Sequence, residues 1–157
     1  SEVEISDIEK QLNFVNAVNK TVDKAHKAIK KIRKINSRLK EFESNFTELN
    51  SVAELISESK QLRKKLSEIE KVLYQTQNRS NQDPLNFPIK LTNKLGHLNR
   101  LVTLNDFPPT DQDESVRVEI TGKVENQLKI LKLLTEKEIK DFNEQFARLE
   151  LDYLKLD

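Results

Sequence analysis

Cysteine, methionine and tryptophan are all missing from these 157 residues. Without cysteine there are no disulfides, no thiol nucleophile and no thiolate metal site. Without methionine the chain starts at Ser1 with no initiator, so it is expected to be a piece of a longer protein from which any targeting signal has been removed. Glycine and proline are scarce, two and four residues, and the prolines fall as two pairs, Pro84/Pro88 and Pro108/Pro109. Breakers confined to two places imply long uninterrupted helices between them. No apolar run reaches the length of a membrane span, and no charged-then-apolar leader opens the chain. An excess of one charge is absent too: 27 basic residues against 26 acidic leave a formal net charge of +1. With no whole-molecule field, neither nucleic acid nor an anionic membrane is the expected partner.

What remains is helix-forming sequence, 34% charged and 36% hydrophobic, at a length that suits one domain. Four helices are expected, at about 6–46, 51–77, 88–105 and 110–155. In the first, Ser6 is placed to cap and Glu9 to complete a capping box. Ile8, Leu12, Val15, Val18, Val22, Ala25, Ile29, Ile32, Ile35, Leu39 and Phe42 then recur at steps of three or four. Val18, Ala25, Ile32, Leu39 and Phe46 lie at sevenfold spacing, which keeps one stripe aligned over several turns. The second helix is read as starting at Ser51 with Glu54 as its box partner. The third opens on Pro88 and turns Leu91, Leu95, Leu98 and Val102 inward. Gly96 inside it costs about 1 kcal/mol relative to Ala and is read as permitting a close backbone approach.

Thr110 is placed to cap the fourth helix, with Asp111, Asp113 and Glu114 in its first turn. Its stripe runs through Val116, Ile120, Val124, Leu128 and Leu131 to Ile139, Phe142, Phe146, Leu149 and Tyr153. Polar residues at 135–138 interrupt it and predict a shift of face. Four apolar stripes with brief connections predict an all-α fold: an antiparallel up-down-up-down four-helix bundle with long first and last helices. Both chain ends then lie at one end of the bundle.

Chemistry-bearing patterns are few. A di-metal carboxylate bundle needs Glu-x-x-His on two helices, but Asp23 precedes His26 and Lys94 precedes His97. Neither metal nor cofactor is expected. No Gly-rich phosphate loop, serine elbow or helix-borne His pair occurs, so no catalytic residue is nominated and an enzyme is not expected. The sequons at Asn19, Asn45 and Asn78 match a pattern common by chance, and Asn19 lies mid-helix.

Two features stand out. Lys20, Lys24, Lys27, Lys30, Lys31, Lys34 and Arg38 make the first helix basic, and one reading is a polyanion-binding face. The plainer reading is a solvated face partly matched by Glu54, Glu58, Glu68, Glu70 and the acids of the fourth helix, since no aromatic platform interleaves with the lysines. The second feature is the run NRSNQDPLNFPIKLTNKL at 78–95, where amides crowd around two prolines and apolar Leu85, Phe87 and Ile89. Its Asn78, Arg79, Ser80, Asn81, Gln82, Asp83, Asn86 and Asn93 form a candidate interaction surface. As a purely structural element it reads as an ordered loop, with Asp83-Pro84 favouring a turn and Asn86 placed to cap the third helix.

The longer run YQTQNRSNQDPLNFPIKLTNKLGHLN, at 74–99, resembles a signature near the C-terminus of large bacterial proteins with sortilin-like, BNR-repeat β-propellers, often labelled glycosyl hydrolase or sialidase-like. QLNFVNAVNKTVDKAHKAIKKIRKI, at 11–35, is similar to the helix that follows the propeller in that family. The family pattern often has Tyr at the place of Phe87 and Asn at the place of Thr92. The resemblance implies the C-terminal helical domain of a secreted or cell-envelope bacterial protein. Any hydrolase activity would lie in the propeller, and no family catalytic residue maps onto this chain. The expectation is a non-catalytic accessory domain that docks on its own β-propeller or on another protein.

Overall fold

The computed structural model describes residues 2–47, 49–74, 91–104 and 108–153. Among these every extended element is helical, and no strand occurs. Helix α1 spans Glu2–Phe46, α2 Ala53–Leu73, α3 Leu91–Leu104 and α4 Asp111–Leu133. A π-helical turn, Leu134–Ile139, joins α4 to α5, Lys140–Tyr153, so that 111–153 forms one rod. The all-α bundle expected from the sequence is what folds.

Its order differs from up-down-up-down. Helix α2 runs back along α1: Glu43 meets Ser59 and Arg63, Arg33 meets Glu70, and the His26 and Tyr74 rings lie 6.2 Å apart. Helix α3 also runs back along α1, with Asn19 beside Asn99 and Gln11 donating to the Val102 carbonyl. So α2 and α3 point the same way, one beyond the other. The Thr92 hydroxyl, buried, donates at 2.7 Å to the Leu73 carbonyl and links the end of α2 to the start of α3. Helix α4 runs parallel to α1, as the Arg117–Phe14, Lys24–Glu125 and Phe42–Phe142 contacts require. Among the described residues α1, the α2–α3 pair and the α4–α5 rod therefore make three columns, and residues 2 and 153 lie at opposite ends.

Length decides this arrangement. The 45 residues of α1 carry an apolar seam along roughly 68 Å, and the 111–153 rod is about as long. The 21 residues of α2 cover about 32 Å of that seam and the 14 of α3 about 21 Å. Laid side by side they would leave half of both long seams in water, at about 25 cal/mol per Å². Stacked in line they cover most of it. The resulting core includes Phe14, Val18, Ala25, Ile32 and Leu39 of α1, Leu62, Leu66 and Leu73 of α2, Leu95 of α3, Val124 and Leu131 of α4 and Phe142 of α5.

Helix ends obey the expected signals only in part. Thr110 caps α4 in a reciprocal box: its hydroxyl accepts from the Asp113 amide at 3.1 Å, and the Asp113 carboxylate accepts from the Thr110 amide at 2.9 Å. The expected Ser6 cap is absent, because α1 is already helical from Glu2. Nothing before Ser6 breaks a helix, and Glu2 and Glu4 favour the positive end of the dipole. The Ser51–Glu54 box is absent as well. The chain enters α2 through a 3₁₀ turn, Asn50–Val52, that buries Val52 and has no side-chain cap. Helix α2 stops at Leu73, short of 77, where Tyr74 is extended. Pro88 and Asn86, expected to open and to cap the third helix, lie outside the described residues.

The shift of face expected at 135–138 coincides with the π turn. One extra residue in a turn rotates the rest of the rod by about 100°, and here it aims Phe142 and Phe146 at Phe42. Thr135 donates its hydroxyl to the Leu131 carbonyl at 2.7 Å where the turn widens. Gly96, by contrast, permits no close approach. A Cβ there meets nothing within 4 Å, and the same holds for Gly122 in α4. Gly96→Ala and Gly122→Ala are each expected to stabilise the fold by about 0.5–1 kcal/mol, because both sit in helix interiors with free space. Thermal unfolding monitored by circular dichroism should show the double variant melting roughly 3 to 6 °C higher.

Candidate functional site

Of the polar segment expected to form an interaction surface, Asn93 alone is among the described residues, exposed on the first turns of α3. Asn78, Arg79, Ser80, Asn81, Gln82, Asp83 and Asn86 lie outside them.

The basic residues of α1 are brought together. Lys20, Lys24, Lys27, Lys31, Lys34 and Arg38 repeat at steps of four and three, so they form one lengthwise row about 27 Å long, with Lys30 beside it. All seven are exposed. Lys24 is paired at 3.0 Å with Glu125 of α4. Of the acids expected to match this face, Glu70 instead holds Arg33, which is outside the row.

A second surface arises from packing that the stripes did not reveal. Residues 129–134 read KILKLL, four apolar side chains in six positions, more than one helix face can bury. Leu131 and Leu134 go inward, while Ile130 and Leu133 stay 43% and 53% exposed. Val72 of α2 is 38% exposed. These three, over buried Ile69 and Leu134, line an open groove between α2 and the α4–π rod. Lys65 and Glu68 stand on one rim, and Gln127, Lys137 and Glu138 on the other. A salt bridge from Lys65 to Glu138 spans it. The signal that could have found this site is the surplus of apolar residues in KILKLL.

A smaller cleft opens between α1 and α5 beside Phe42, Phe46, Phe142 and Phe146, with Arg38, Asn45 and Asn143 at its edge. Its floor is the aromatic cluster that holds those helices together.

The stripe expected on α1 is also incomplete. Ile8 and Leu12, expected in the seam, are 62% and 57% exposed, and Val3 and Ile5 are exposed with them. Counting 100° per residue, Ile5, Ile8 and Leu12 share a face that points away from the one carrying Phe14 and Val18. Val116, expected in the stripe of α4, is 36% exposed.

Ser59 is the one described serine hydrogen-bonded to a carboxylate by its own hydroxyl in a buried setting. It donates to Glu43 at 2.8 Å and is fully buried, within the α1–α2 packing. Among the described residues no three His, Asp or Glu side chains gather as metal ligands, and no helix is long and apolar enough to cross a membrane. No family model, curated protein or solved structure matches the chain.

Proposed function

We propose that this chain is a non-catalytic helical interaction domain that receives a protein partner in the α2–α4 groove. The observation that carries this reading is the exposure of Val72, Ile130 and Leu133 together along one slot between two helices. Clustered apolar groups rimmed by charge are the usual mark of a protein contact. A slot between two helices has the shape that accepts an amphipathic helix or a projecting apolar loop. The resemblance at 74–99 adds the context of an exported bacterial protein and names a first partner to try, the β-propeller of the same protein.

The absence of cysteine makes the test direct, because a single introduced thiol is unique. Leu133→Cys carrying an environment-sensitive fluorophore is expected to blue-shift and saturate when the purified propeller is titrated in. The same label at Asn16→Cys, on the outer face of α1, should not respond. A silent label at 133 removes the propeller as the groove's occupant. Silence there toward every partner, this chain included, ends the groove reading.

A second reading has its own observation, the single row of six cations on α1. In that reading the face holds a polyanion, and binding to heparin or single-stranded DNA weakens steeply as salt rises. Lys27→Ala/Lys30→Ala/Lys34→Ala should then lower affinity at low salt by more than tenfold, at roughly 1 kcal/mol per lost cation. No binding at low salt ends it. The first reading is preferred, because the row contains no aromatic platform and the net charge is +1.

A further inference from the structure

No aromatic ring interleaves with the basic row of α1, but the row ends at four of them. Arg38 is its last cation and also part of the wall of the cleft over Phe42, Phe46, Phe142 and Phe146. The row's next two positions, three and seven residues on, are Glu41 and Asn45, and both line that cleft. Asn143 stands on the opposite wall, on α5. Phe142 and Phe146 are far along the chain from the row, and it is the π turn that aims them at its end.

The surface therefore joins a charged track to an apolar pocket. Between residues 20 and 41, α1 holds nine cations against two acids, Asp23 and Glu41. Glu125 takes up Lys24 and Glu70 takes up Arg33, and the excess remains positive. Among the described residues Lys27, Lys31, Lys34 and Arg38 have no carboxylate partner, and the Asn45 and Asn143 amides have no hydrogen-bond partner. The cleft holds about 320 Å³, at the small end of ligand pockets, and Phe46 and Phe146 are only half-buried in it.

We propose that this face binds single-stranded nucleic acid, with phosphates along Lys27, Lys31, Lys34 and Arg38 and one base in the aromatic cleft. This rests on the second reading above, a polyanion held by the basic row, and names its ligand. Phe46 and Phe146 supply the stacking surface that single-strand sites require. Glu41 can accept from an exocyclic amine such as that of cytosine, and the two Asn amides offer donors and acceptors to a base edge. A sulfated polysaccharide suits the face less well because its charges sit on the rings themselves. Seating such a ring in the cleft strips water from sulfates beside phenyl groups and a carboxylate. Nucleic acid separates the two functions, with neutral flat bases on a charged backbone. The row, about 27 Å long, suits a short strand of roughly four nucleotides or more.

The test titrates the whole chain, at low and high salt, with a fluorescein-labelled strand of eight deoxycytidylates and with an abasic strand of equal length and charge. Both should weaken steeply as salt rises, and the intact strand should bind about tenfold tighter, the effect of one stacked base. Lys27→Ala/Lys30→Ala/Lys34→Ala should weaken both strands by more than tenfold and leave their ratio unchanged. Phe146→Leu should do the reverse, bringing the ratio toward one with the salt dependence intact. If Phe146→Leu melts early, Asn45→Ala/Asn143→Ala replaces it, since both positions are exposed, and the same fall in the ratio is expected.

Equal binding of the intact and abasic strands overturns the base site and leaves the polyanion reading standing. A ratio that survives the cleft variant overturns the cleft as the place where the base sits. Strands that bind the lysine variant as well as the wild type overturn the row as the phosphate track. A heparin fragment of equal charge that binds tighter than the deoxycytidylates overturns nucleic acid as the ligand class. If nothing binds at low salt, the polyanion reading fails together with this inference.

Discussion

Phe42→Ala is expected to destabilise the bundle by roughly 3 to 5 kcal/mol, the largest effect of any single substitution proposed for this chain. Its ring is buried where α1 meets α5 and touches three others. It lies edge-on to Phe142, with centroids 5.2 Å apart at 90°, and edge-on to Phe146 at 5.3 Å and 84°. Phe46, one turn on along α1, is 5.3 Å away. Truncation removes the transfer free energy of the ring. It also leaves a cavity that cannot collapse, because rigid aromatics and the two long helices hold its walls. The edge-to-face pairs add about 0.5–1.5 kcal/mol each beyond area, and these are lost together.

Urea unfolding monitored at 222 nm should show the midpoint falling with the slope unchanged. Phe42→Leu keeps most of the volume, so it is expected to recover about half of the loss. If Leu is as harmful as Ala, ring geometry matters more than volume. If neither variant lowers the unfolding free energy by 1 kcal/mol or so, the packing described for this end is wrong.

Glu43→Ala is the second large effect, expected to cost about 3 kcal/mol. The Glu43 carboxylate is 12% exposed and accepts from the fully buried Ser59 hydroxyl at 2.8 Å and from Arg63 Nη1 at 2.7 Å. Removing it leaves a cation and a hydroxyl without their acceptor inside the α1–α2 packing. The penalty comes from those stranded partners more than from the lost attraction. Glu43→Met/Ser59→Ala/Arg63→Met, which removes all three polar ends, should therefore regain most of the stability lost in Glu43→Ala alone. A cycle through the single and multiple variants gives the coupling directly. A triple variant no more stable than Glu43→Ala would show that this cluster gives more than pairing, for example by fixing the angle at which α2 leaves the turn.

How much of this was legible beforehand can be judged residue by residue. Sevenfold spacing marked Val18, Ala25, Ile32, Leu39 and Phe46; the first four are buried and Phe46 is half-buried against them. Thr110 with Asp113 announced a cap, and it forms. Both are local patterns, in which a repeat or a capping pair carries its own geometry. Ser6 and Ser51 carried similar signals and capped nothing. A helix that nothing stops simply starts earlier, and a buried Val52 draws the chain into a tighter turn. Periodicity placed Ile8 and Leu12 in the seam because it marks an apolar face without showing whether a neighbour reaches it. Both are exposed, on a face turned away from Phe14 and Val18. The surplus of apolar residues in KILKLL marked one wall of the groove, but the other was illegible for the complementary reason. Val72 and Leu133 are 61 positions apart in sequence, and only the packing of α2 against α4 makes them neighbours.

The sequence by itself determined that this chain is helical, where its breaks fall and which stripes are apolar, because those properties depend on residues within a turn or two of one another. Tertiary structure alone decided that α2 and α3 share one column, that the long helices run parallel and that two apolar surfaces remain open. Those outcomes depend on matching the lengths of distant seams, and in a sequence the seams appear without their partners.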